Sequence, residues 1–537
     1  MSRLTITGFR GVNLALSPKN LADVQGIIAE NIKPTRGDMR PWRVPLAVAT
    51  VPASPARQTL WRMGRDTPSD TNYWLSWAGR VNVIRGFNAS DPTEKTYYTG
   101  DGTPKWTDNT KALASAPYPT AWRELGVPKP ATAAVLSLTT DGATGTAEDV
   151  YALETFVTDA GEESSPGLPS SKVTCKAGAL LSLTSLAAAP SGSYGVNRRR
   201  IYCTKVGDSA TNYYLAAEVA IGTTTVAINT AALNDVLATE GWAMPPADGH
   251  SLCALWYGMA AMLSGKSLRF CVPETLYAWP TSYRMLLNDT GVALATFDQT
   301  LVVLTTGKPY LIQGQDPQAM SQIPHSIDQA CVSARSVVSL GDMVVWASPD
   351  GLCNASNAGH GVLTQGIATR DDWQALKPDT MVGFQYEGVY GAFFNDGSGL
   401  RALLIDPQNP NGLWFLSTGY EAAVRDPVTD ALYVESAGSV QKWDAGASLM
   451  TARFKSKVFR QSAPVLYEAF MVVADSFSNM TLKVWADGVL RMTRTVTHGR
   501  PTRMPDGFTA KEWQVEIDTT DAVQAIVLAT DINELEE

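Results

Sequence analysis

The chain has 537 residues, of which 45% are hydrophobic and only 18% charged, with 43 glycines, 31 prolines and 15 tryptophans. That balance supports a large core, about three domains at ~150 residues each, and turn-rich β structure rather than helical repeats. A net charge of −9 argues against a dedicated nucleic-acid binder, because phosphate contacts need clustered Lys and Arg.

Cys175, Cys203, Cys253, Cys271, Cys331 and Cys353 are widely spaced, form no Cys-x-x-Cys pair and give no disulfide framework. The start, Met1-Ser2-Arg3-Leu4-Thr5, has no signal-peptide core. The longest mostly apolar run, Leu252–Leu263, is about 12 residues where a bilayer needs ~20. The expectation is a soluble protein made in a cytosol, with no membrane-spanning segment.

Residues 1–58 read as an N-terminal arm. A short helix is predicted from Asn20 to Asn31, with Leu21, Val24 and Ile28 on one face and Pro34 blocking continuation. An arm lacking its own core docks on its own body or on a neighbouring subunit, so Leu21, Val24 and Ile28 are the candidate assembly residues. Deleting residues 1–45 is then expected to leave folded protein with impaired assembly. Arg36-Gly37-Asp38 matches an adhesion tripeptide but reads as a solvated turn.

Residues 59–127 form the first part of a predicted propeller, with a hairpin of Tyr73–Trp77, a turn at Ala78-Gly79-Arg80, and Val81–Arg85. Residues 128–246, bounded by prolines and rich in Ala, Thr and Ser, are expected to be an inserted β-sandwich resembling fibronectin type III. Its strand candidates are Val150–Thr158, Leu180–Leu186, Arg200–Lys205, Tyr213–Val219 and Thr224–Ile228. Arg198-Arg199-Arg200 reads as a solvated edge. Glu162 and Glu163, adjacent near a wide turn, are expected to face apart or sit in solvent, which disfavours the facing carboxylate pair of a glycosidase.

Residues 247–449 hold the main propeller part. Glycine-centred turns at Gly265, Gly307, Gly351, Gly397 and Gly438 are separated by 42, 44, 46 and 41 residues. Apolar strands such as Met343–Ala347 and Leu400–Ile405 flank them, punctuated by Asp-Gly and Gly-Asp. A repeat of roughly 40–50 residues built from short strands is the signature of a β-propeller. With the Gly79 hairpin, the expectation is an all-β protein whose propeller has about six blades. Residues 450–537 alternate (Leu482, Val484, Ala486; Trp513, Val515, Ile517; Val523, Ala525, Val527) and form a C-terminal β-domain with an acidic tail.

Gly265-Lys266-Ser267 lacks the upstream glycine and following helix of a phosphate loop and reads as a hairpin turn. Ser348-Pro349-Asp350-Gly351 resembles part of the aspartate box of sialidase propellers, without its Thr-Trp. His250, His325, His360 and His498 show no metal-ligand spacing. No serine has a recognisable triad partner, and Pro407 occupies the first ligand position of an otherwise calcium-loop-like stretch. No catalytic, cofactor or metal residues are nominated, and the chain reads as a non-enzyme.

Several stretches carry a resemblance: Arg269-Phe270, Pro273-Glu274 and Ala278-Trp279-Pro280; Thr306 to Tyr310; Gln329 to Ser333; and Trp346 to Gly351. Ala29-Glu30-Asn31, Gly37 to Pro41, and Tyr151–Pro169 leading into Arg200-Ile201-Tyr202 extend it. Together they resemble virion proteins of tailed bacteriophages, and in architecture the tail nozzle (tail tubular protein B) of short-tailed phages. The resemblance implies a homo-hexameric ring at the tail tip beneath an adaptor or tubular ring, with tail fibres or spikes as further contacts. It also implies a channel through which phage DNA passes without specific binding, so an acidic or neutral lumen is expected. The alternative is a receptor-binding or polysaccharide-degrading tail protein using a propeller pocket.

Overall fold

The computed structural model describes residues 3–34, 37–64, 69–208, 211–505 and 507–535. Arg36 of the tripeptide and the last two acidic residues of the tail lie outside the described residues. The protein is all-β, 45% strand and 3% helix, in many small sheets. No helix among the described residues is long and apolar enough to cross a membrane. It divides into two compact units, Met1–Arg80 with Ala295–Leu311 and Ile323–Glu537, and Val81–Leu294 with Ile312–Gln322.

Five of the six marker glycines turn the chain between adjacent antiparallel strands. Gly265 joins Ala260–Ser264 to Ser267–Phe270, and Gly351 joins Met343–Ala347 to Leu352–Ser356. Gly397 joins Val389–Asn395 to Leu400–Ile405, and Gly438 joins Ala431–Ser436 to Ser439–Lys442. Gly307 lies between the neighbouring strands Thr300–Thr305 and Tyr310–Gln313. The resulting four-stranded meanders run over 82–124, 250–286, 291–324, 338–362 and 382–416.

Gly79 is different. Trp74–Trp77 pairs back onto Thr59–Arg62, while Asn82–Arg85 opens a separate sheet with Thr96–Thr99. All four residues of Trp74–Trp77 are buried, so this strand is enclosed on both faces and takes its partner upstream. Gly79 is therefore a crossing between sheets and not a hairpin turn.

Within each unit the first strands of successive sheets lie side by side. Asn82–Arg85 neighbours His250–Ala254 in one unit; Val338–Ser339, Val382–Tyr386, Ala422–Asp426 and Thr59–Arg62 follow one another in the other. Gly383 shows how close these strands come, since a Cβ there would lie 2.6 Å from the Ser336 carbonyl oxygen. Only glycine fits such a backbone approach.

The N-terminal segment corrects the sequence reading. No helix forms between Asn20 and Asn31; residues 20–25 turn, and Gly26–Glu30 is a strand. It pairs antiparallel with Ala452–Ser456 and, through Glu30 and Phe415, parallel with Trp414–Leu416. Main-chain partners on both sides override a helical apolar pattern that is only a weak prior. Gly26 marks the tightest point, where a Cβ would meet the Lys455 carbonyl oxygen at 2.7 Å.

Nor does the segment lack a core. Leu4, Ile6, Phe9, Val12, Ala29, Ile32, Met39 and Trp42 are buried together with Phe454, Leu482, Val484, Trp513, Val515 and Ile517. Arg3–Ile6 pairs with Val523–Ala529. Leu46–Thr50 pairs with Ser439–Lys442, giving the 422–442 strands their fourth member. The arm docks on its own body. Removing residues 1–45 would take away core side chains and two paired strands, which weighs against the expectation that the rest stays folded without them.

Gly26–Glu30 welds the 382–416 meander to Ala452–Ser456, Ala510–Thr519, Met480–Ala486 and Val489–Thr495, making one ten-stranded sheet. In the other unit, residues 135–229 form three small sheets: Val135–Thr140 with Leu180–Thr184 and Val226–Asn229; Thr144–Val150 with Val173–Ala177; and Ala152–Thr158 with Val196–Thr204 and Tyr213–Ala220. Leu136, Val150, Cys175, Leu181, Leu183, Ile201 and Cys203 fill the space between them. All six cysteines are free thiols.

Candidate functional site

Of the three nominated assembly residues, the structure leaves only Ile28 beside an open groove. Leu21 is buried at 2% exposure. Val24 is half-buried and fills the space over Gly8, where an added Cβ would lie 2.8 Å from its Cγ1. Ile28 is half-buried and, with Val12, Leu14, Ile27, Leu376 and Phe415, walls a groove of about 420 Å³.

Glu30, Arg401 and Arg453 also line the groove. The Arg401 guanidinium lies 3.6 Å from both Glu30 and Asp396 and 5.7 Å above the Phe415 ring centre. Arg453 donates to Glu516 at 2.6 Å. Burial of Glu516 pushes its carboxyl up, but hydrogen bonds from Lys483 and Arg453 and their charges outweigh this and hold it below the usual range. Apolar walls with guanidinium groups at the margin suit an apolar side chain flanked by a carboxylate. The groove is not legible in the sequence because its residues come from six separated stretches of chain.

Within residues 135–229 the carboxylate pair and the middle arginine of the run are buried. Glu162 and Glu163 are buried, at 4% and 8% exposure. Glu163 accepts from Thr155 at 2.6 Å, from Tyr202 at 2.8 Å and from Arg200 at 2.5 Å. Glu162 accepts from Lys95 at 3.0 Å, and burial raises its pKa. Val196–Thr204, which carries Arg198-Arg199-Arg200, is the middle strand of its sheet. In place of a solvated edge there is an ion network, with Arg199 buried against Glu154 and the partly exposed Arg198 and Arg200 paired to Glu218 and Glu163.

Lys95 also reaches a polar cleft of about 530 Å³ lined by Asp91, Tyr97 and Glu274 among others. Its ammonium lies 4.2 Å from the Trp106 ring centre.

Two further clusters join residues that spacing alone did not connect. His325 is 2% exposed, its ring 4.7 Å from that of His360 and 6.2 Å from Trp346. Burial, followed by the nearby His360 and Lys308, pushes its pKa down to about 4. His360 Nε2 in turn meets the Ser326 hydroxyl. At the Gly351 hairpin, Ser348 donates from its hydroxyl to the Gly351 carbonyl at 2.8 Å, and Trp373 Nε1 donates to the Ser348 carbonyl at 2.8 Å. That tryptophan comes from the helix Arg370–Ala375, whose Thr369/Asp372 capping box was readable in the sequence. Among the described residues no group of three or more His, Cys, Asp or Glu could hold a metal ion.

No family model matches the chain, and no curated protein matches it. Among solved structures it is similar to the AfRom2 CNH domain, with a TM-score of 0.27 and 10% identity over 71% of this chain and 98% of that one. It is also similar to the extracellular domain of a hybrid two-component system from B. thetaiotaomicron, with a TM-score of 0.28 and 8% identity over 91% of this chain and 59% of that one. Scores at this level do not establish a shared fold, and activity does not follow from fold in any case.

Proposed function

We propose that this protein is a structural virion component, a tail-nozzle-like subunit that assembles into a ring at the tail tip of a short-tailed bacteriophage. The observation that carries the reading is the Gly26–Glu30 weld, which fuses a meander and the C-terminal strands into one sheet and leaves no hinge between them. A stiff body of this kind suits the wall of a conduit. In this reading the meanders are propeller blades, their first strands face the axis, and Leu46–Thr50 closes the last blade. The family resemblance supplies the hexameric order, the adaptor ring above, the virion location and the passage of DNA through an acidic or neutral lumen.

Negative-stain microscopy of the purified chain tests this. Six-fold rings with an axial opening are the expected result. Monomers at every concentration, or trimeric spikes, would overturn it. A second reading, a glycan-binding or glycan-degrading tail protein, is favoured by the polar cleft at Asp91, Lys95 and Glu274. Sugar release from host surface polysaccharide, lost on Glu274→Gln, would establish it in place of the conduit.

A further inference from the structure

Residues 488–505 contain Arg491, Arg494, Arg500 and Arg503 and no acidic residue, in a chain whose net charge is −9. All four arginines are exposed. The structure brings Arg491, Arg494 and Arg503 into one region. Arg494 donates to the Arg503 carbonyl at 3.1 Å, and Arg491 lies 5.3 Å over the Phe508 ring centre. None of the four has a carboxylate partner among the described residues.

Arg491 and Arg494 stand on Val489–Thr495, which ends the ten-stranded sheet and pairs only with Met480–Ala486. Its outer edge offers unpaired main-chain groups. Val489 and Leu490 at its start are 50% and 43% exposed. Charge and a bulge on an edge strand are also how proteins block unwanted pairing. That account does not reach Arg500 and Arg503, which lie off the strand, and it runs against two exposed aliphatic residues on the same edge. A phosphate backbone would use the arginines but leave Val489 and Leu490 in water. A protein surface uses both.

The chain itself carries the complement. Thr144–Val150 belongs to a two-stranded sheet, so it too has an open edge, and every residue from Thr144 to Asp149 is exposed. It presents Glu148 and Asp149. Lys172 and Thr174 hold the Asp149 carboxylate at 2.9 and 2.5 Å, which fixes its position before any partner arrives.

We propose that the arginine-bearing edge Val489–Thr495 of one copy docks the acidic edge Thr144–Val150 of a second copy, a head-to-tail contact through added strands and charge pairs. Because the two edges differ, each copy keeps one of each available, as repeated assembly requires. The proposal rests on the assembly reading only in requiring that copies associate.

The test is self-association of the full chain, measured by analytical ultracentrifugation. Arg491→Glu with Arg494→Glu should weaken association by about 100-fold, since facing like charges cost several kcal/mol. Glu148→Arg with Asp149→Arg should do the same, and the four changes together should restore it. Circular dichroism and tryptophan fluorescence check that each variant is folded. Unchanged rings in both reversed variants would overturn this contact and leave the proposed function standing. A wild-type chain that never associates would end both. Binding of a short DNA duplex that depends on the four arginines, by a chain that stays monomeric, would assign the patch to nucleic acid and overturn the contact.

Discussion

The Arg199 guanidinium donates to the Glu154 carboxylate at 2.8 Å, with the two side chains 3% and 1% exposed. Glu154 also accepts from the Ala187 main-chain nitrogen, and Arg199 also donates to the Ile221 carbonyl. Burial still leaves the Glu154 pKa above the ordinary carboxylate value. Removing one partner strands the other without water. Arg199→Met should therefore cost ~3–5 kcal/mol, while Arg199→Met with Glu154→Leu should recover most of it. Hydrogen exchange of Ala152–Thr158 and Val196–Thr204 reads the local loss directly.

The N-terminal segment is core, so truncation should unfold rather than free it. Trp42 is 1% exposed, lies 5.6 Å from Trp443 between ring centres, and donates from Nε1 to the Ile32 carbonyl at 3.1 Å. Trp42→Ala should destabilise by about 3–5 kcal/mol. Deleting residues 1–45 should give insoluble or molten protein. Cooperative thermal unfolding of the truncated chain near the wild-type midpoint would contradict this.

His325 is neutral in the folded protein, and its Nδ1 accepts from the Ile327 nitrogen at 3.1 Å. Its pKa, depressed to about 4 against an ordinary 6.5, makes the unfolded chain the better proton acceptor. The stability it contributes is complete above pH 6.5 and is lost as the pH falls through 4, with an upper size of about 3 kcal/mol. His325→Gln should flatten the difference between unfolding free energies at pH 7 and pH 4.5. An identical slope in both proteins would remove His325 as its source.

Gly391 lies opposite Phe384 in the 382–416 meander, and an added Cβ would come within 2.2 Å of the Phe384 ring. That ring is stacked on Phe393 at 4.5 Å and has no room to retreat. Gly391→Ala should cost roughly 1–3 kcal/mol, and Gly391→Ala with Phe384→Leu less. Urea midpoints of the two variants give the comparison.

The strands legible in the sequence were those whose own residues decide them. Met343–Ala347 and Leu400–Ile405 are legible to the residue, because apolar runs, interrupted in the second only by Arg401, follow Gly-Asp or Asp-Gly turns and leave little choice. Gly26–Glu30 was not, because Gly-Ile-Ile-Ala-Glu satisfies a helical stripe as well as a strand, and its partners at Phe415 and Phe454 are remote in sequence. The arginines at 198–200 misled for a related reason. A run of charge reads as solvated unless the carboxylates meeting it are known, and Glu154, Glu163 and Glu218 come from other strands and turns. His325 and His360 become a pair only through the folding of the 338–362 meander. The Thr369 cap was the one missed feature with a local signal.

The strands Arg3–Ile6, Gly26–Glu30 and Leu46–Thr50 leave the ribosome long before their partners, which lie hundreds of residues further along the chain. The body that contains them can close only after Val523–Ala529 has been made. A product ended before those partners would leave three open strand edges and a bare half-core, the kind of surface that chaperones and proteases recognise.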